Sequence, residues 1–187
     1  MAKTMKVCAA VAICSTAICI ALYAHTHMEL FLIAAITLGT TSYHLAMRLL
    51  VGTVIHFLLH NQVNYQAKWF EVSAIEKTLY KKLRVQKWKA KMPTYDPGSF
   101  DRKRHSWDEI AQAMCQAELV HEGIIVLSFL PVLAAIPFGA LWVFLITSVM
   151  AACIDMIFVI MQRYNRPRIL KLMAKSGKNG PGNGGPV

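Results

Sequence analysis

The sequence predicts an all-α integral membrane protein: four transmembrane helices, with a cytoplasmic, interfacial helical segment between spans two and three. Three observations carry this expectation. Of 187 residues, 56% are hydrophobic and only 16% charged, with a mean hydropathy of +0.42, too apolar for a soluble domain of this size. The apolar residues fall into long runs without the period-2 alternation of barrel strands, each long enough to cross a hydrocarbon core of about 30 Å. The 20 Lys and Arg avoid two short connections and crowd the others, which is the asymmetry that orients a helical bundle.

The first run, residues 7–24, follows Lys3 and Lys6 as a signal peptide would, but it lacks a small-x-small cleavage site before His25 and reads as a retained helix. The second covers 29–51, with an apolar extension to Leu59; the third covers 119–137 and the fourth 141–161. Two basic residues precede the first span, eleven lie from Lys68 to Arg104, six follow Gln162, and Arg48 lies inside span two. The connections "HTHM" (25–28) and "PFGA" (137–140) carry none. The positive-inside rule therefore puts both termini and the long central segment in the cytoplasm, with the two turns outward. The net charge of +10 comes with no nucleic-acid recognition motif, so its partner is the membrane surface and not nucleic acid. The chain reads as one membrane domain, 1–175, followed by a Gly/Pro-rich tail, 176–187, expected to be disordered.

Within the central segment, 61–117, Ile75, Leu79 and Leu83 share one helical face while Val85, Trp88 and Met92 fall on another. That implies two short pieces or a kink, lying in the headgroup layer with Trp88 at the interface. Pro97 and Gly98 suit the middle of a type II turn. Ser106 and Glu109 form the S-x-x-E of a capping box, so a helix should start near Trp107 and run into span three. Near the end, Pro167 disfavours helix at Arg166, which predicts that span four stops near Asn165 and that a second, interfacial helix follows.

Ionisable groups inside spans are costly and mark candidate sites. His44 is 15 residues from Glu29, His121 is 16 from Pro137 and Asp155 is 14 from Leu141, so at 1.5 Å per residue all three lie about 21–24 Å from the outer turns. Arg48, Glu118 and Gln162 fall within about two turns of that layer. Ile110, Met114, Ala117, His121 and Ile124 line one helical stripe, so His121 points inward. Two readings stand: His121 is satisfied by Glu118 or a carbonyl, or it works as a base with Glu118 beside it. A single E-x-x-H falls short of the paired motifs of carboxylate-bridged metal bundles, and the five cysteines show no metal spacing, so no metal is expected. Arg48 either snorkels or binds, and Asp155 is either a structural acid or a functional one. Gln162, Arg163, Asn165, Arg166 and Arg168 either anchor span four or grip phosphate or sugar oxygens with guanidinium forks.

The blocks "EKTLYKKLRVQKWKAKMP", "AELVHE" with "SFLP" after it, and "FVIMQRYNRPRILKL" resemble the glycosyl-4,4'-diaponeurosporenoate acyltransferase family, which completes staphyloxanthin-type carotenoids. The matching positions are Val85, Trp88 and Lys89, then Glu118 and His121, then Gln162 to Arg168, within residues 76–173. Where the family has Glu-Thr before the Ala-Glu-Leu-x-His block and Trp after the His, this chain has Ala113, Met114 and Glu122. The resemblance implies a transferase in the bacterial cytoplasmic membrane that esterifies a hydroxyl of a glycosylated lipid or carotenoid-like, isoprenoid-type acceptor. It would use an acyl thioester as co-substrate and no other cofactor. His121 is then the expected general base, with Glu118 fixing its tautomer. Arg163, Arg166 and Lys89 would serve the donor, and Trp88, His44, Arg48, Asp155, Gln162, Asn165 and Arg168 would complete the substrate contacts. The rival expectation is a non-catalytic module that binds an amphiphile or assists assembly.

Overall fold

In the computed structural model, residues 2–88, 98 and 101–178 are described. Among them are six α-helices: α1 (Ala2–Thr26), α2 (Glu29–Leu59), α3 (Ala74–Lys82), α4 (Trp107–Leu127), α5 (Ala135–Phe138) and α6 (Leu141–Lys178). Short 3₁₀ turns lie at Lys68–Phe70, Val85–Lys87 and Leu130–Ala134. Four stretches are long and apolar enough to cross a membrane: Lys3–Thr26, Glu29–Leu59, Trp107–Phe138 and Leu141–Ser176. The chain is a multi-pass membrane protein with an interfacial helical segment between its second and third spans.

The described residues divide into two compact units. The first combines residues 1–58 with 120–157. Its α1–α2 turn places His27 in left-handed backbone, and the α5–α6 turn does the same at Gly139 and Ala140. Most of its apolar side chains, Val7, Leu30, Ile33, Val126 and Trp142 among them, are exposed, as a lipid-facing surface requires. A buried apolar cluster joins α2 and α4, where Met47, Val51 and Ile124 pack with Tyr43, Ile55, Val120 and Leu127. Gly123 lies at this contact, where a Cβ would meet Val51 Cγ1 at 3.4 Å.

The third span is broken, and its proline explains why. Pro131 cannot donate to the Leu127 carbonyl four residues back, so α4 ends at Leu127 and a 3₁₀ turn takes over. In lipid that carbonyl needs another donor. The Tyr43 hydroxyl supplies it from α2, at 2.8 Å.

The second unit combines residues 59–119 with 158–187. Its small core is Val63, Phe70 and Cys115, packed against Leu59, Tyr65, Ala67 and Leu119. The Ser106–Glu109 capping box forms as the spacing predicts: the Ser106 N–H donates to Glu109 at 2.7 Å, the Glu109 N–H donates to Ser106 Oγ at 3.2 Å, and α4 starts at Trp107. A second box, Ser73 with Glu76, starts α3 in the same way. The expected break between two short pieces falls at Arg84, which takes left-handed backbone between α3 and the Val85–Lys87 turn. Met92, Lys89, Pro97 and the tail from residue 179 lie outside the described residues.

One expectation is corrected. Pro167 does not end span four, because α6 runs unbroken from Leu141 through Pro167 to Lys178, taking residues 176–178 of the expected tail with it. An interior proline costs about 3 kcal/mol. Here it directly follows Arg166 and lies one turn after Arg163, whose side chains are both tied down, and Asn165 Nδ2 donates back to the Met161 carbonyl at 2.9 Å. Those contacts hold the helical register across the missing hydrogen bond.

Candidate functional site

In the first unit, the spans bring Arg48, His121 and Asp155 together. Asp155, on α6, is buried in a stripe with Phe144, Ser148, Ala151 and Ala152, so its carboxylate faces the bundle and needs partners. Arg48 Nη2 lies 2.5 Å from Asp155 Oδ2, and its Nε lies 3.1 Å from the same oxygen. Nη2 also donates to the Ala151 carbonyl at 3.4 Å. The other carboxylate oxygen, Oδ1, lies 2.8 Å from His121 Nδ1. A carboxylate on Nδ1 favours the proton on that nitrogen and fixes the ring plane, while the arginine sets its positive charge against the other oxygen.

His44 lies one turn before Arg48 on α2 and is buried, its ring meeting Tyr43 edge-on at 5.5 Å. Among the described residues, neither of its ring nitrogens has a hydrogen-bond partner, nor does Ser148 Oγ. Unsatisfied buried polar groups cost about 1–3 kcal/mol each, so these two residues call for a reason.

In the second unit, Glu118 collects two arginines. Its side chain is fully buried; Oε1 accepts from Arg163 Nη1 at 2.6 Å and Oε2 from Arg166 Nη1. Arg163 goes on to Glu76 Oε1 at 2.7 Å and to the carbonyls of Trp69 and Glu71. Arg166, 1% exposed, also donates to the Phe70 carbonyl and stacks on the Phe70 ring at 4.9 Å. Glu76 takes the Tyr80 hydroxyl at 2.9 Å. Burial alone would raise the Glu76 carboxyl, but Arg163, the Ser73 cap and Tyr80 outweigh it and bring it down to about 2. Burial and the adjoining carboxylate push Tyr80 up to about 12.

Two expected roles change with these contacts. Glu118 was expected to orient His121, yet both its oxygens are taken by arginines, and His121 is oriented by Asp155. Arg163 and Arg166 were expected to grip the donor, but their N–H groups are turned inward onto Glu118, Glu76 and backbone carbonyls. They clamp residues 69–76 to α4 and α6 within the second unit. Of the other expected residues, Asn165 bonds within its own helix, Arg168 stacks on Tyr164 at 4.6 Å, Gln162 and Trp88 are half-buried, and Lys89 lies outside the described residues.

Glu76, Tyr80, Tyr43 and Ser148 were not anticipated. The S-x-x-E at 73–76 was legible as a cap, but nothing in it announces an arginine 87 positions away.

A family model described as glycosyl-4,4'-diaponeurosporenoate acyltransferase matches residues 66–175. No curated protein and no solved structure matches the chain.

Proposed function

Because the chain belongs to the glycosyl-4,4'-diaponeurosporenoate acyltransferase family, and so is a membrane acyltransferase and not a passive carrier, we propose the following reaction. It moves a fatty acyl group from a cytoplasmic thioester donor to a hydroxyl of a glycosylated lipid or carotenoid-like acceptor. Both termini and the basic segment face the cytoplasm of a bacterial membrane, following the distribution of Lys and Arg.

The observation that carries the mechanism is the bond between His121 Nδ1 and Asp155 Oδ1 at 2.8 Å, backed by Arg48 on the second oxygen. With the Nδ1 proton held by Asp155, Nε2 is the basic nitrogen. It takes the acceptor's hydroxyl proton as the oxygen attacks the thioester carbonyl. The tetrahedral intermediate then collapses, the C–S bond breaks, and the proton on Nε2 passes to the leaving sulfur. Asp155 is a positioning residue, stabilising the imidazolium that forms between the two proton transfers. Arg48 keeps Asp155 anionic throughout. Glu118, Arg163 and Arg166 hold the framework, while Lys89 in the basic segment stays assigned to the donor and Trp88 to the substrate contacts. No serine or cysteine is paired with a base in a nucleophile motif, so transfer is direct.

A labelled fatty-acyl thioester incubated with purified protein and total membrane lipid tests the reading. Label should pass into a lipid ester with wild-type protein and fall about 10²- to 10⁴-fold with His121→Ala. Near-normal transfer by well-folded His121→Ala protein would overturn the assignment of the base.

A further inference from the structure

The first unit contains a cavity of about 390 Å³, within the range of small-molecule sites. Among the residues lining it are Thr16, Ala35, Gly39, Thr40, Tyr43 and Phe144. The three hydroxyls in this set are already spent: Thr16 donates to the Ala12 carbonyl, Thr40 to Ile36 and Tyr43 to Leu127. Such a lining offers water no partners and is suited to an apolar ligand.

Just beyond the lining the chemistry differs. Both α2 and α6 run inward from the outer turns, so one turn beyond Thr40 is His44, and one turn beyond Phe144 is Ser148. Among the described residues, these are the two whose buried side-chain polar atoms have no partner. One further turn brings Arg48, which bonds Ala151 and Asp155, and Asp155 holds His121. The order along the spans is therefore apolar cavity, unsatisfied donors and acceptors, then the paired His and Asp.

That order selects an occupant. A lipid of the outer leaflet would carry its polar group at the outer end of the cavity, where the lining residues Leu32, Ala134 and Phe138 are apolar. An amphiphile entering tail-first from the cytoplasmic side would put its polar group at the inner end, beside His44 and Ser148. The stretch of α2 that lines it, from Leu32 to Tyr43, covers roughly 16 Å, too short for a rigid polyene that spans the bilayer but suited to a flexible chain. We propose that this cavity is the subsite for the acyl chain being transferred, with the oxygen of its thioester carbonyl meeting His44 and Ser148. The proposal rests on the acyl-transfer reading for the identity of the chain.

Two experiments test it, and only one depends on turnover. In the first, palmitoyl-coenzyme A bearing a diazirine near its methyl end is photolysed with wild-type and His121→Ala protein in lipid nanodiscs. Crosslinks should concentrate on the Ala35–Tyr43 stretch and Phe144, be competed by unlabelled palmitoyl-coenzyme A, and fall about tenfold in Ala35→Phe, which fills the cavity. Labelling spread evenly over the lipid-facing Leu30, Ile33 and Ile136, indifferent to Ala35→Phe, would overturn the proposal. Should that variant not fold, Gly39→Leu replaces it, because a Cβ at Gly39 meets only Thr16 Cγ2, at 3.5 Å.

The second compares palmitoyl with octanoyl thioesters in the transfer assay. A filled cavity should shift the ratio of kcat/KM toward octanoyl by about tenfold or more while octanoyl turnover persists, and His44→Phe should raise KM for both by about tenfold. An unchanged ratio overturns the chain subsite. If wild-type protein turns over no thioester, acyl transfer fails as a reading, and the crosslinking result alone still decides whether the cavity takes the chain.

Discussion

Glu118→Gln separates structure from chemistry at the residue first expected to orient the base. The substitution keeps the shape of the side chain but removes the charge that Arg163 and Arg166 share. It also turns one acceptor oxygen into an NH₂ donor, which must then face one of two guanidinium N–H groups. Arg163 retains Glu76. Arg166 does not have that relief: at 1% exposure it keeps only the Phe70 carbonyl and ring and the Cys115 sulfur at 3.6 Å. Removing one partner of a buried ion pair costs about 3–5 kcal/mol because the other charge is stranded. Against a typical total stability of about 5–15 kcal/mol that is a large share. Unfolding of the second unit in detergent is followed through Trp69, Trp88 and Trp107, together with proteolytic sensitivity of residues 59–106. The variant should unfold earlier and be cleaved faster, with residual transfer tracking the folded fraction. Stability within about 0.5 kcal/mol of wild type, accompanied by lost transfer, would refute the clamp and return Glu118 to the chemistry.

Other substitutions follow from the same contacts. Asp155→Asn should lower kcat by about 10²-fold or more, and the double variant with His121→Ala should be no slower than His121→Ala alone, since positioning has no value without the base; additive losses in the transfer assay would contradict the pairing. Tyr43→Phe leaves the Leu127 carbonyl without its donor in an apolar surround, at about 1–3 kcal/mol, so thermal unfolding should come earlier, and an unchanged midpoint would mean that another group takes over. Glu76 has a carboxyl depressed from 4.5 to about 2 in the folded protein. The stability this confers is present above the unfolded value near 4.5 and is lost as pH falls toward 2. Acid titration of the second unit should therefore show a loss in that window that Glu76→Gln removes, and an identical profile in the variant would count against the Arg163–Glu76 pairing.

The sequence by itself determined the elements that depend on local chemistry. Long apolar runs must become helices in lipid because every backbone group has to be satisfied within its own segment. The Ser106–Glu109 spacing started α4 where it had to, since cap and acceptor are three residues apart. The family motifs were legible in the same way, as short strings of residues. Pro167 shows where local rules stopped: its cost is real, but side-chain contacts in the turn before it kept α6 helical. Pairing was decided only in three dimensions. Glu118 and His121 are neighbours in sequence, and spacing alone suggested that they serve each other. In the folded protein Glu118 meets arginines 45 and 48 positions away, while His121 meets an aspartate 34 away. A buried charge takes whichever partner offers opposite charge at hydrogen-bonding distance, and the rotation and depth of packed helices set that distance, neither of which a single segment encodes.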